Sequence, residues 1–180
     1  MIYQRVFDYK LNIRYNRGMK IIIIDGMSGA GKTTYANSIS QNVIHMDDFF
    51  LPIELRTEER LAEIGGNVHY ERFKDEVINP IKSGEKEFSY RIFNCKEMNY
   101  VSAKKIRTDE DIIIEGAYAM HPYFEWDKLK QEFEIEKVFM EIPKSEQEAR
   151  IKARNGKTVW EIFRDKWIPM EEAYFDKFIR

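Results

Sequence analysis

The stretch Gly26-Met27-Ser28-Gly29-Ala30-Gly31-Lys32-Thr33 constrains this chain more than any other. It fits the pattern G-x-x-x-x-G-K-[ST], in which glycines let the backbone curl until successive N–H groups face inward as a nest for phosphate oxygens. Its four fixed positions recur by chance in about one chain of this length in one to two hundred, so the flanking sequence decides. The apolar run Lys20-Ile21-Ile22-Ile23-Ile24-Asp25 leads straight into the loop and reads as a buried parallel strand. Lys32 to Ser40 follows as a short helix, with Tyr35, Ala36 and Ile39 at helical spacing. Strand, loop and helix is the context that gives the motif its meaning, and the helix points its positive dipole end at the same anion. Gly26, Ser28, Gly29, Ala30, Gly31, Lys32, Thr33 and Thr34 are therefore expected to hold the phosphates of a nucleotide, with Lys32 on the β and γ phosphates and the Thr33 hydroxyl on Mg²⁺.

With 180 residues, 43% hydrophobic and 33% charged, the chain suits one compact soluble domain with a real core. A net charge of −2 supplies no broad basic field, so nucleic acid is not an expected partner, although local basic clusters suit a small polyanion. Cys95 is the single cysteine, which excludes an internal disulfide and points to a reducing, cytoplasmic location. The longest apolar runs are too short to span a bilayer, and the N-terminus has no signal-peptide apolar region.

Residues 1–18 read as an extension before a single domain over 19–180. Their partial alternation suits an added edge strand or hairpin, and Met19 is an equally good starting point for the domain. Val43-Ile44-His45-Met46 is a short second strand that stops at Asp47-Asp48. Ligands of open α/β sheets sit beyond the carboxyl ends of the strands, so this acidic pair is well placed for chemistry. Helices are expected over Arg56–Ile64 and Tyr70–Ser83, the second with Tyr70, Phe73, Val77 and Ile81 on one face and Gly84 just past its end. His69 opens that helix. Short strands around Phe88–Phe93 and Met98–Val101 carry Tyr90, Arg91 and Tyr100, reading either as an exposed hairpin or as a wall of an acceptor site. Asp111-Ile112-Ile113-Ile114-Glu115 is another buried strand ending in an acid, and Glu115 can hold magnesium directly or through water. Lys137 to Ile142 is a further strand, stopped by Pro143. Ser145 with Glu148 suggests a capping box for a helix through Arg154. Arg150 and Arg154 share a face of that helix and could clamp a polyphosphate. Asn155-Gly156 offers the break that a closing lid around 144–158 needs, ahead of one or two terminal helices.

Taken together, these residues resemble the uridine kinase and phosphoribulokinase family of P-loop kinases, and its bacterial uridine-kinase-like branch more closely. The resemblance covers about Lys20 to Phe178 and rests on the phosphate loop, His45-Met46-Asp47-Asp48-Phe49-Phe50, Tyr70-Glu71-Arg72-Phe73 with Asn79-Pro80, Ile114-Glu115-Gly116 with Tyr118 and His121-Pro122, and Arg164 through Phe175. It implies an α/β, three-layer P-loop NTPase fold with a central parallel five-stranded sheet, helices on both faces and a helical lid. It also implies ATP- and Mg²⁺-dependent phosphorylation of a small hydroxyl compound, a nucleoside such as uridine first. Another small alcohol (a sugar or vitamin precursor) and a nucleotide-binding regulatory role remain as alternatives. On this resemblance Asp47 orients or deprotonates the acceptor hydroxyl. The resemblance also matches Arg150 and Arg154 to the family's lid arginines. Read from their own placement, Lys32 acts on the phosphates, Thr33 and Glu115 on the metal, and Asp47, His69, Tyr90, Arg91 and Tyr118 are the candidates to face the acceptor. His69 and Asn94 stand where relatives often carry acids, so the resemblance does not carry uridine itself across. A homodimer is left open.

Overall fold

The computed structural model describes the backbone of residues 3–7 and all of residues 18–180. Strand β1 spans Tyr3–Phe7, β2 Lys20–Gly26 and β3 Val43–His45, with helix α1 (Lys32–Ile39) between the last two. Helix α2 is Glu58–Ala62, capped by the Thr57 side chain, which accepts from the Arg60 N–H. A longer helix over 70–83 comprises α3 (Tyr70–Phe73), a wide π turn (Lys74–Ile78) and α4 (Asn79–Ser83). Strands β4 (Glu87–Asn94) and β5 (Asn99–Arg107) form a hairpin; β6 (Ile112–Glu115), α5 (Trp126–Leu129) and β7 (Glu134–Glu141) follow. Helix α6 (Lys144–Ile162), a second π turn (Phe163–Trp167) and α7 (Ile168–Phe178) end the chain. Each π turn lies just before a proline, Pro80 or Pro169. The proline ring lacks an N–H and crowds the carbonyl one turn back, and a widened turn absorbs both effects without ending the helix.

The main sheet runs β1-β7-β2-β6-β3, with the loop-bearing strand in the middle. Strands β7, β2, β6 and β3 are mutually parallel, whereas β1 pairs antiparallel with β7 from Tyr3–Glu141 to Phe7–Lys137. The sheet thus has five strands, of which four are parallel, and the antiparallel edge strand comes from the N-terminal extension. The other residues of that extension before Gly18 lie outside the described residues. The core is built on both faces of the central strands: Ile21, Ile23, Ile24, Ile112 and Ile114 are completely buried, the burial that continuous β-branched runs require. A smaller apolar cluster, Ile151, Trp160 and Phe163, packs along α6 and the π turn that follows it.

Two local expectations are corrected. The Ser145–Glu148 capping box does not form: Pro143 occupies the N-cap position, placing Ser145 inside the first turn, and Glu148 pairs with Lys152. Strand β5 runs to Arg107, well beyond Val101: past Ser102 its exposed face carries Ala103, Lys105 and Arg107, and Ile106 packs on the other.

Candidate active site

The carboxyl ends of β2, β3 and β6 gather Gly26, the Met46–Phe49 turn and Glu115 at one edge of the sheet. Room for this is made by glycine. Gly26 has φ +135°, and a Cβ there would lie 2.1 Å from the Met140 carbonyl oxygen on β7. Gly116 has φ +139°, and a Cβ would lie 2.6 Å from that of Met46. Lys32, only 8% exposed, folds back over the loop and donates to the carbonyl oxygens of Gly26 (2.8 Å) and Met27 (3.0 Å).

Glu115 is the hub of the acidic edge. Its Oε1 accepts from the Thr33 hydroxyl at 3.0 Å and lies 2.6 Å from His45 Nδ1. Oxygen donors from Thr33 and Glu115 at the mouth of a phosphate loop suit Mg²⁺, which takes one or two protein groups and completes its shell with water and phosphate. The two aspartates after β3 differ. Asp48 is committed: its carboxylate accepts from the Tyr90 hydroxyl at 2.9 Å and its carbonyl oxygen from Arg72. Asp47 is exposed to solvent at the carboxyl end of β3, beside the phosphate loop's lysine and the α6 arginine in electrostatic reach. Desolvation there raises its pKa, as do the like charges of Glu115 and Asp48, while Lys32 and Arg154 pull it back.

Helix α6 brings its two arginines over this edge. Arg150 donates to the Gly29 carbonyl oxygen at 3.0 Å and pairs with Glu146. Arg154 bonds Asn155 and sits within electrostatic reach of Asp47. Gly156, with φ +81° and ψ 174°, breaks the helix two residues later.

Besides Asp47, the four other side chains expected to face an acceptor have different surroundings. Tyr90 is completely buried, stacked on Phe49 with ring centroids 5.1 Å apart, so it reaches the cleft only through its bond to Asp48. Tyr118 is also buried, edge-on to Tyr174, and holds a left-handed φ of 66° that costs a non-glycine residue strain. Arg91 is half exposed on the opposite face of β4 from Tyr90, paired with Glu76 and laid over the Tyr100 ring. His69 lines a cavity of about 460 Å³ with Leu51, Leu55, Arg60 and Glu63. Its Nδ1 is buried without a hydrogen-bond partner, its pKa is lowered by burial and by Arg72, and its backbone N–H donates to the Phe49 carbonyl.

Sequence reasoning passed over three groups that hold the site in place. Arg72, 3% exposed, lies over the Phe49 ring and donates to the carbonyl oxygens of Asp48 and Arg91, tying the acidic turn to the hairpin. Asp25, completely buried, accepts from the N–H groups of Gly26 (2.6 Å) and Met120 (2.9 Å) and from the Tyr174 hydroxyl (2.7 Å). Glu171 accepts from the N–H of Ser28 at 3.1 Å and from its hydroxyl. An acid ending an otherwise apolar buried strand was the available signal for Asp25, because such a group requires donors.

No protein-family model and no curated protein sequence matches this chain. Among solved structures it is similar to a candidate uridine kinase from Bacillus stearothermophilus, at 18% identity and a TM-score of 0.61, over 91% of this chain and 84% of that one. It is also similar to a candidate fructose transport system kinase from Silicibacter sp. TM1040, at 20% identity and a TM-score of 0.71, over 94% and 90%. At these identities the likeness is one of fold: the chain shares the α/β architecture of both structures over more than nine tenths of its length.

Proposed function

We propose that this protein is an ATP-dependent kinase that transfers the γ-phosphoryl group to a hydroxyl of a small molecule. The observation that carries this reading is the position of Asp47: an exposed carboxylate in the turn after β3, in the combined field of loop lysine Lys32 and α6 arginine Arg154. Phosphoryl transfer proceeds through a loose transition state, so positioning and charge neutralisation do most of the catalytic work. Loop amides and Lys32, released from its own carbonyls, bind the β and γ phosphates. Asp47 orients the acceptor hydroxyl in line and takes its proton. Arg150 and Arg154 cover the phosphates and keep water out. Thr33 and Glu115 would hold Mg²⁺, which when bound offsets charge on the β and γ oxygens.

A nucleoside such as uridine is the first acceptor to test. A sugar is the second, supported by the likeness to the fructose transport system kinase candidate. The deciding experiment measures ADP formation with ATP and Mg²⁺ across nucleosides, sugars and other small alcohols. Stimulation by one acceptor class is expected; tight ATP binding without stimulation by any would make the protein a nucleotide-responsive switch instead. Asp47 must be unprotonated to accept the proton, so activity should be full above its raised pKa and lost as pH falls through it. That acid limb should lie above the ordinary aspartate range.

A further inference from the structure

The tip of the phosphate loop is gripped by the last two helices. Glu171 of α7 takes both donors of Ser28, its backbone N–H at 3.1 Å and its hydroxyl. Gln147 of α6 donates its Nε2 to the Ser28 carbonyl oxygen at 3.1 Å. One residue on, Arg150 of α6 bonds the Gly29 carbonyl oxygen. Both Glu171 and Gln147 are buried, at 5% and 2% exposure. One turn after Glu171, on the same face of α7, Tyr174 donates to Asp25, which accepts the Gly26 N–H. A buried carboxylate here carries a desolvation cost, reduced by the Lys32 charge and the two bonds from Ser28. Ordinary packing of α7 would not require an acid at this place.

We infer that Glu171 and Gln147 are positioning residues of the nucleotide site: they hold Ser28 by its backbone N–H and C=O, and so the two peptide groups that flank it, set the curl of the loop, and join it to the arginine-bearing lid. The inference rests on the loop's binding a nucleotide, as proposed above, but not on the acceptor. Phosphate binding needs loop amides already turned inward, and a tip free to rotate must spend binding energy on ordering. A charge-assisted bond to one buried peptide corresponds to about a tenfold or larger effect.

The test is calorimetric titration with ATP and Mg²⁺ of wild type, Glu171→Gln, Glu171→Ala and Gln147→Ala. Glu171→Ala should weaken ATP binding at least about tenfold, Gln147→Ala less. Glu171→Gln, which keeps an acceptor for the Ser28 N–H, should recover most of the affinity. In steady state the KM for ATP should rise while the KM for the acceptor stays put. Unchanged or tighter ATP binding by a folded Glu171→Ala variant would overturn the inference. If that variant does not fold, Ser28→Ala removes one of the bonds with little change in volume, and unaltered affinity there would count equally against it. A wild-type protein that binds no ATP would instead overturn the proposed function.

Discussion

Around the phosphate loop, the groups that would meet a ligand are backbone amides and one lysine, set by glycines and by buried side chains beneath them. On the proposed acceptor side, the arrangement depends on side chains drawn from distant segments: Asp47 after β3, Arg72 in α3, Tyr90 in β4 and Lys104 in β5. Tyr90 and Lys104 are cross-strand partners, and the Lys104 pKa is lowered by burial and held up by Asp48 and Glu115. On the proposed function, phosphate recognition would be written locally in eight residues, whereas acceptor recognition would be assembled by the fold. The first needs a fixed backbone.

Variants on the two sides should separate accordingly. Lys32→Met removes the charge that the loop brings to the phosphates and should lower kcat/KM by about a thousandfold; a loss under tenfold would show that the amides suffice. Gly26→Ala forces a Cβ against the Met140 carbonyl at a φ that alanine disfavours. It should cost about 3 kcal/mol or more in denaturant unfolding, and an unaltered midpoint would mean that β7 yields easily. On the acceptor side, Tyr90→Phe deletes one bond to Asp48. It should raise the acceptor KM about fivefold while leaving ATP affinity alone; a matching loss of ATP affinity would erase the distinction between the two sides. Arg91→Ala breaks a half-exposed pair with Glu76 worth about 1 kcal/mol and should scarcely affect turnover. An acceptor KM raised more than tenfold would return Arg91 to the acceptor site.

The same contrast explains what could be read from the sequence. Strands β2 and β6 were legible because both their faces are buried, and continuous isoleucine runs have few other uses. The loop was legible because a nest needs glycines at fixed spacing. The helix over 70–83 was legible from its apolar face, but the π turn before Pro80 was not, since periodicity does not report one extra residue in a turn. Tyr90 looked like a ligand contact because an aromatic in a polar hairpin resembles a binding wall; its burial against Phe49 comes from the packing of β4 on the Met46–Phe49 turn. Glu171 and Tyr174 lie 143 and 149 residues from their partners. Helical spacing puts them on one face, and nothing local says that the face meets the loop. The antiparallel edge strand was readable as alternation but not as pairing, because register against β7 is a property of the sheet.

The most direct test of the central claim compares wild type with Asp47→Asn, measuring ATP affinity by calorimetry and acceptor-stimulated ADP formation in the same preparations. The account predicts equal ATP affinity and a loss of transfer by about a thousandfold, beyond the 10²–10⁴ span's lower end for a positioned acid–base group. Undiminished turnover by Asp47→Asn would contradict it.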